Sequence, residues 1–134
     1  MANSLTKIDP PAWMLELFRS IDDLDVSENS GFRIFADNVA LQFGSKTAHG
    51  IENVKKFFVE LDEPFITKHL VDVVYQYGDA YFMQGSATLR KKSDPDGKEL
   101  KAAPLFNLLW FNSEGKVIRY VVDFDPMAAK AAGI

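Results

Sequence analysis

The sequence contains no cysteine. That absence excludes disulfides, thiolate nucleophiles and zinc–thiolate centres. It also lacks any stretch approaching the ~18 consecutive apolar residues that a membrane-crossing helix needs. Positive charge is not in excess: 15 Lys and Arg against 19 Asp and Glu leave a net charge of −4. A nucleic acid or an anionic membrane wants a basic patch, so neither is expected as a partner. Histidine is scarce, with His49 and His69 far apart and no clustered ligands around them, so no metal site is expected. No repeat, linker or break in composition divides the chain, which points to a single domain over residues 1–134 with its core at about 12–127. The N-terminal segment has no long apolar run of the kind a secretory signal carries, so a cytoplasmic protein is expected.

What the chain has is phenylalanine, 11 residues of it. Aromatic rings fill cores and also line apolar ligand cavities. Residues 1–9 read as a loose arm. Pro10 and Pro11 suit a helix start, and Trp13, Met14, Leu17, Phe18 and Ile21 then recur at helical spacing up to the acidic stretch Asp22, Asp23, Asp25. Gly31–Asp37 reads as a short helical turn, Val39–Phe43 as a short strand and Gly44–Gly50 as a polar loop. Ile51, Val54, Phe57, Phe58 and Leu61 give a second amphipathic helix, ended by Pro64. The period then changes from helix to strand. His69–Tyr77, Ala80–Lys92, Leu100–Phe111 and Val117–Phe124 read as four strands joined by turns at Gly78-Asp79, Ser93–Gly97 and Asn112–Lys116. Helices first and a strand meander after is an α+β pattern. A twisted antiparallel sheet with helices packed on one face makes a cone whose open mouth is an apolar pocket.

One residue breaks the apolar pattern. Asn107 lies in Ala-Pro-Leu-Phe-Asn-Leu-Leu-Trp-Phe, residues 103–111. A buried amide without partners costs about 1–3 kcal/mol, so Asn107 has either an internal partner or a cavity before it. By alternation it shares a face with Leu105, Leu109 and Phe111, while Phe106 and Trp110 face the other way. His69 opens an earlier strand, and the same alternation puts Val71, Val73 and Tyr75 on its face. Asp22 follows Met14 and Phe18 on the inward row of the first helix, at an end where a carboxylate is electrostatically unfavourable. Asp125-Pro126 reads as the exit of the last strand, His49 as exposed, and Arg90, Lys91 and Lys92 as a solvated cluster beside a hairpin.

The order of elements resembles the nuclear transport factor 2-like superfamily, whose fold is cystatin-like, and within it the SnoaL-like branch. The resemblance rests on Ile34–Val39 after the first helix, His69 at the start of a strand, Ser113–Tyr120, and Asp125-Pro126. It implies the cone fold, a hydrophobic pocket and a homodimer paired through the outer sheet face, with Phe106 and Trp110 in the contact. Two segments resemble scytalone dehydratase more closely. Thr67–Leu70 matches the segment carrying its catalytic histidine, onto which His69 falls. Phe106–Phe111 matches the segment carrying its pocket asparagine, onto which Asn107 falls. Asp22 falls on the aspartate at that family's helix end. Ile21 stands where that family has a tyrosine, and Arg90 only approximates its second histidine. In ketosteroid isomerase the position of Asn107 carries a protonated aspartate that donates to an oxyanion. The isomerase's base and helix tyrosine would fall near Phe43 and Leu17, so that acid–base set is absent.

The resulting expectation is a small cofactor-independent lyase, isomerase or cyclase acting on an apolar, polyketide- or terpenoid-like carbonyl compound. His69 would move a proton, Asp22 would orient it and Asn107 would hold the oxygen, with Phe18, Phe58, Leu105, Leu109 and Tyr120 as apolar walls. The rival expectation is a non-catalytic module of the same fold that binds a small molecule or dimerises.

Overall fold

The computed structural model describes residues 4–127 and Lys130; the rest of the expected tail, 127–134, lies outside the described residues. Two helices, α1 (Ala12–Asp23) and α2 (Ile51–Asp62), pack on a curved sheet of seven strands: β1 (Thr6–Ile8), β2 (Phe35–Phe43), β3 (Lys46–His49), β4 (Phe65–Tyr77), β5 (Ala80–Lys91), β6 (Leu100–Phe111) and β7 (Val117–Phe124). The spatial order is β1-β4-β5-β6-β7-β2-β3. This is an α+β cone, as expected.

The meander β4-β5-β6-β7 is antiparallel throughout. Three features differ from the sequence expectation. The arm is not loose, because Thr6, Lys7 and Ile8 pair with Gln76, Tyr75 and Val74. The expected polar loop contains β3, which pairs antiparallel with β2. The expected helical turn is confined to a 3-10 turn at Gly31–Ile34, and Phe35 already belongs to β2, which runs parallel to β7. A register shift between Phe35 and Ala40 breaks the alternation of β2 and hides its first half from a period-2 reading. β1 and β3 are three and four residues long, too short to show a period of their own.

The helices form where they do for simple reasons. Pro11 precedes the first turn of α1, and its carbonyl accepts from Met14 N at 3.1 Å. The chain leaves α1 through Leu24 in the left-handed region, φ 54°. Met14, Leu17, Phe18 and Ile21 are buried on one face of α1, and Val54 and Phe58 on one face of α2. They meet Val74, Met83, Leu109 and Tyr120 on the inner face of the sheet. Each such side chain contributes roughly 1.5–3 kcal/mol through burial.

β4 carries a bulge between Val71 and Val73 that reverses its facing. His69 and Val71 point inward, but beyond the bulge it is Val74, fully buried, that joins the core. Val73 and Tyr75 do not share the face of His69, and Tyr75 instead lies against Phe82 outside the cone. Opposite the bulge stands Gly85. A Cβ there would come within 1.9 Å of the Leu70 carbonyl oxygen, so only glycine lets the two strands approach this closely.

Candidate active site

The inner face of the cone holds a partly open cavity of about 50 Å³, counted as the space a water's centre can reach. A single water needs roughly 10–15 Å³ on that measure, so the space suits a group of a few heavy atoms. Its floor includes Asn107 and Tyr120, both buried; half-buried Phe43, Leu61, Ala102 and Phe124 lie nearer the rim.

His69 lines this cavity from β4. Behind it stands Asp22 in the last turn of α1. The Asp22 carboxylate is fully engaged: Oδ1 lies 2.6 Å from His69 Nδ1 and accepts from Thr67 Oγ1 at 3.0 Å, while Oδ2 accepts from the His69 backbone N–H at 3.0 Å. The pair is largely shielded, with 16% and 17% of the two side chains exposed. A carboxylate at Nδ1 holds the proton on that nitrogen and leaves Nε2 with its lone pair. Phe18 stacks flat against the imidazole, centroids 5.4 Å apart and planes 6° from parallel, so the ring cannot turn freely. Phe18 is therefore a support behind His69 and not a cavity wall.

Asn107, 1% exposed, faces the same cavity from β6. Its Oδ1 accepts from the Tyr120 hydroxyl at 2.5 Å. Its Nδ2 has only Met83 Sδ at 3.9 Å, a weak acceptor that leaves donor capacity for the cavity. Burial pushes the Tyr120 phenol well above its ordinary pKa, with the nearby Asp62 carboxylate adding to the shift. Tyr120 thus stays a donor and fixes which way the amide points. Phe58, Leu105 and Tyr120 line the cavity, while Leu109 is packed in the core away from it.

A third polar group on the wall has no counterpart in the sequence expectation. Asp62, the last residue of α2, is 6% exposed and lines the cavity. Burial pushes its pKa up to about 6, and Asp22 adds to the rise, while His69 pulls against it. A signal for it existed: Val54, Phe58 and Asp62 stand four apart, as Met14, Phe18 and Asp22 do. Thr67, Phe43 and Phe124 were likewise not anticipated as neighbours of the site. Of the remaining polar residues, His49 is exposed on β3. Asp125 caps the turn after β7, accepting from Met127 N at 2.9 Å. Arg90 is half-buried, reaches Glu99 at 3.5 Å, and keeps a buried Nε without a partner. Among the described residues no group of three or more His, Cys, Asp or Glu can hold a metal ion, and no helix is long and apolar enough to cross a membrane.

No protein-family model matches the sequence, and no curated protein matches it. Solved structures do resemble it in shape. A hypothetical protein of ketosteroid isomerase-like fold from Catenulispora acidiphila, determined in complex with trimethylamine, superposes with a TM-score of 0.77 at 14% identity, covering 92% of each chain. A provisionally named SnoaL-like polyketide cyclase from Jannaschia gives 0.74 at 21% identity, covering 93% of this chain and 96% of that one. A provisionally named isomerase from Bacillus subtilis gives 0.74 at 12% identity, covering 90% and 89%. The chain thus has the nuclear transport factor 2-like fold, shared with SnoaL-like and ketosteroid isomerase-like proteins. That fold hosts unrelated activities, so function has to be argued from the site.

Proposed function

We propose that this chain is a small, single-domain, cofactor-independent enzyme that transfers a proton next to a carbonyl group, as a lyase, isomerase or cyclase does. The observation that carries the reading is that His69, backed by Asp22, and Asn107, oriented by Tyr120, line one partly open, largely apolar cavity. His69 Nε2 takes a proton from the carbon beside the carbonyl. The electron pair moves onto the oxygen, and Asn107 Nδ2–H donates to it there, in a site where a fixed donor counts for more than in water. Return of the proton from His69 at another carbon gives isomerisation, and its transfer to a β-hydroxyl, whose C–O bond breaks as water leaves, gives dehydration. The substrate class is an apolar, polyketide- or terpenoid-like carbonyl compound. The small volume takes its reacting end, with the remainder outside the rim.

The test needs no knowledge of the natural substrate. Exchange of α-protons of small ketones in D2O, followed by proton NMR, should run faster with the protein than with buffer. His69→Ala should lower the enhancement by about 10²–10⁴-fold. Exchange no faster than buffer, or unchanged in His69→Ala, would favour the second reading, a non-catalytic module that binds a small molecule. That reading draws support from the trimethylamine held by the Catenulispora protein.

The proposal extends to a cytoplasmic homodimer. Phe82 and Phe106 stack 5.7 Å apart on the outer face of the sheet, beside Trp110, which carries the Arg119 guanidinium at 5.1 Å. A face of that composition suits a buried contact. Light scattering at micromolar concentration should give twice the chain mass, and a monomer would remove this part of the proposal.

A further inference from the structure

Asp62 is the one polar side chain on the cavity wall that makes no hydrogen bond with any described residue. Thr67 Oγ1 donates to Asp22, the Tyr120 hydroxyl donates to Asn107, and His69 Nδ1 faces Asp22. No lysine or arginine lines the cavity. The residue is buried, 6% exposed, and it stands at the C-terminal end of α2, where the helix dipole also disfavours negative charge. Among the described residues no hydrogen-bond donor meets it, and only the His69 charge works in favour of its ionised form.

Its surroundings are aromatic. Phe43, Phe58, Tyr120 and Phe124 line the same space. Phe43 is in contact with Phe124, centroids 5.1 Å apart, and with Phe58 edge-on at 6.2 Å, and Phe58 stacks on Tyr120 at 6.1 Å. Aromatic faces attract cations through the ring quadrupole, and the attraction grows when water is excluded. An anionic group beside aromatic rings is the arrangement that recognises an alkylammonium ion. A neutral ligand would leave the carboxylate uncompensated.

We infer that the cavity binds a compact organic cation, an alkylammonium group of a few carbons, with Asp62 as its counter-ion and the aromatic walls as its cage. Cation binding itself stands on the cavity alone. Its extension, that the reacting carbonyl compound also bears an ammonium group, rests on the proton-transfer reading and narrows the apolar substrate class given there.

Binding should be coupled to pH. Asp62 must be ionised to serve as counter-ion, and burial holds its pKa at about 6. The other titratable groups facing it are His69 on β4, with Asp22 of α1 behind, and Tyr120 on β7. Tyr120 stays neutral throughout. A proton gained by His69 repels a cation, so it acts in the same direction as protonation of Asp62.

The experiment is a titration with tetramethylammonium chloride, whose charge does not change with pH, followed by amide NMR shifts. Sodium chloride sets equal ionic strength, and tert-butanol serves as a neutral probe of similar size. The expected result is saturable shifts at Thr67, His69, Asn107 and Tyr120, with affinity about tenfold higher at pH 7.5 than at pH 5, as titration of one group near 6 requires. Asp62→Asn should weaken binding at pH 7.5 by at least about tenfold, and tert-butanol should bind more weakly than the cation. Phe43→Leu, which keeps the carboxylate, should weaken the cation more than tert-butanol. Equal binding of the two probes, unchanged binding in Asp62→Asn, or no saturable shift up to 100 mM, roughly the ceiling for a useful site, would overturn the inference. The readout does not use turnover, so failure here and failure of the exchange assay are separate results.

Discussion

The two helices end in the same way and to opposite effect. Each carries a phenylalanine and then, four residues on, an aspartate on its inward row: Phe18 and Asp22 in α1, Phe58 and Asp62 in α2. Asp22 meets Thr67 and both the backbone and the ring of His69. Asp62 meets an aromatic cavity and no donor. Position on a helix therefore decides whether a carboxylate faces the sheet, and the strand opposite decides whether it is satisfied. β4 offers a hydroxyl, a backbone N–H and an imidazole to α1. The walls before Asp62 offer rings.

The comparison breaks most sharply at Asp22. Asp22→Ala leaves the Thr67 hydroxyl and the His69 N–H groups without an acceptor and should cost about 3 kcal/mol in urea unfolding. Asp22→Asn keeps the shape but no longer fixes the Nδ1 proton, and α-proton exchange should fall about a thousandfold. The opposite sign is expected at Asp62. Its folded-state pKa lies above the ordinary 3.8, so the folded chain keeps a proton that the unfolded chain releases between pH 3.8 and about 6. Stability therefore falls as pH rises through that window and stays lower above it. Asp62→Asn has no proton to lose: it should match the parent below pH 4 and exceed it by up to about 3 kcal/mol at pH 7.5 in denaturant melts. A variant less stable than the parent at pH 7.5 would show that Asp62 does not stand uncompensated. Tyr120→Phe removes the only donor to Asn107 Oδ1 among the described residues and should cost about 1–2 kcal/mol. Smallest is Thr67→Val, which takes one of three hydrogen bonds from Asp22 and should cost about 1 kcal/mol. Its effect on exchange should be slight, because the contact between His69 and Asp22 survives.

Much of this was legible in the residues. The stripe Met14, Leu17, Phe18, Ile21 gave α1, and the alternation around Asn107 gave both its inward facing and the outward facing of Phe106 and Trp110. β6 and β7 begin and end where their turns require. Other features were hidden for physical reasons. β1 and β3 exist because a partner strand pairs with them, not because of a period of their own. One bulge after Val71 moves Val73 and Tyr75 outside, a displacement that strict alternation cannot register. At the site, the facing of His69, Asp22 and Asn107 could be read from spacing. Spacing alone did not separate cavity wall from core, so Phe18 and Leu109 fell on the wrong side of that line. Asp62 obeyed the same four-residue rule as Asp22.

The bond between Asp22 Oδ2 and the His69 backbone N–H has a consequence beyond the site. β1 flanks β4 only at Val74–Gln76, so along Phe65–Val73 no described strand covers that side. An uncovered margin of this kind is a template for adding strands from other molecules. Asp22 occupies one of its donors with a side chain that cannot extend the ladder, and exposed Lys68 and Asp72 place charges beside it. The carboxylate that steadies the imidazole also leaves that margin one fewer free donor for strands of other molecules, and a protein stripped of Asp22 should lose solubility on storage.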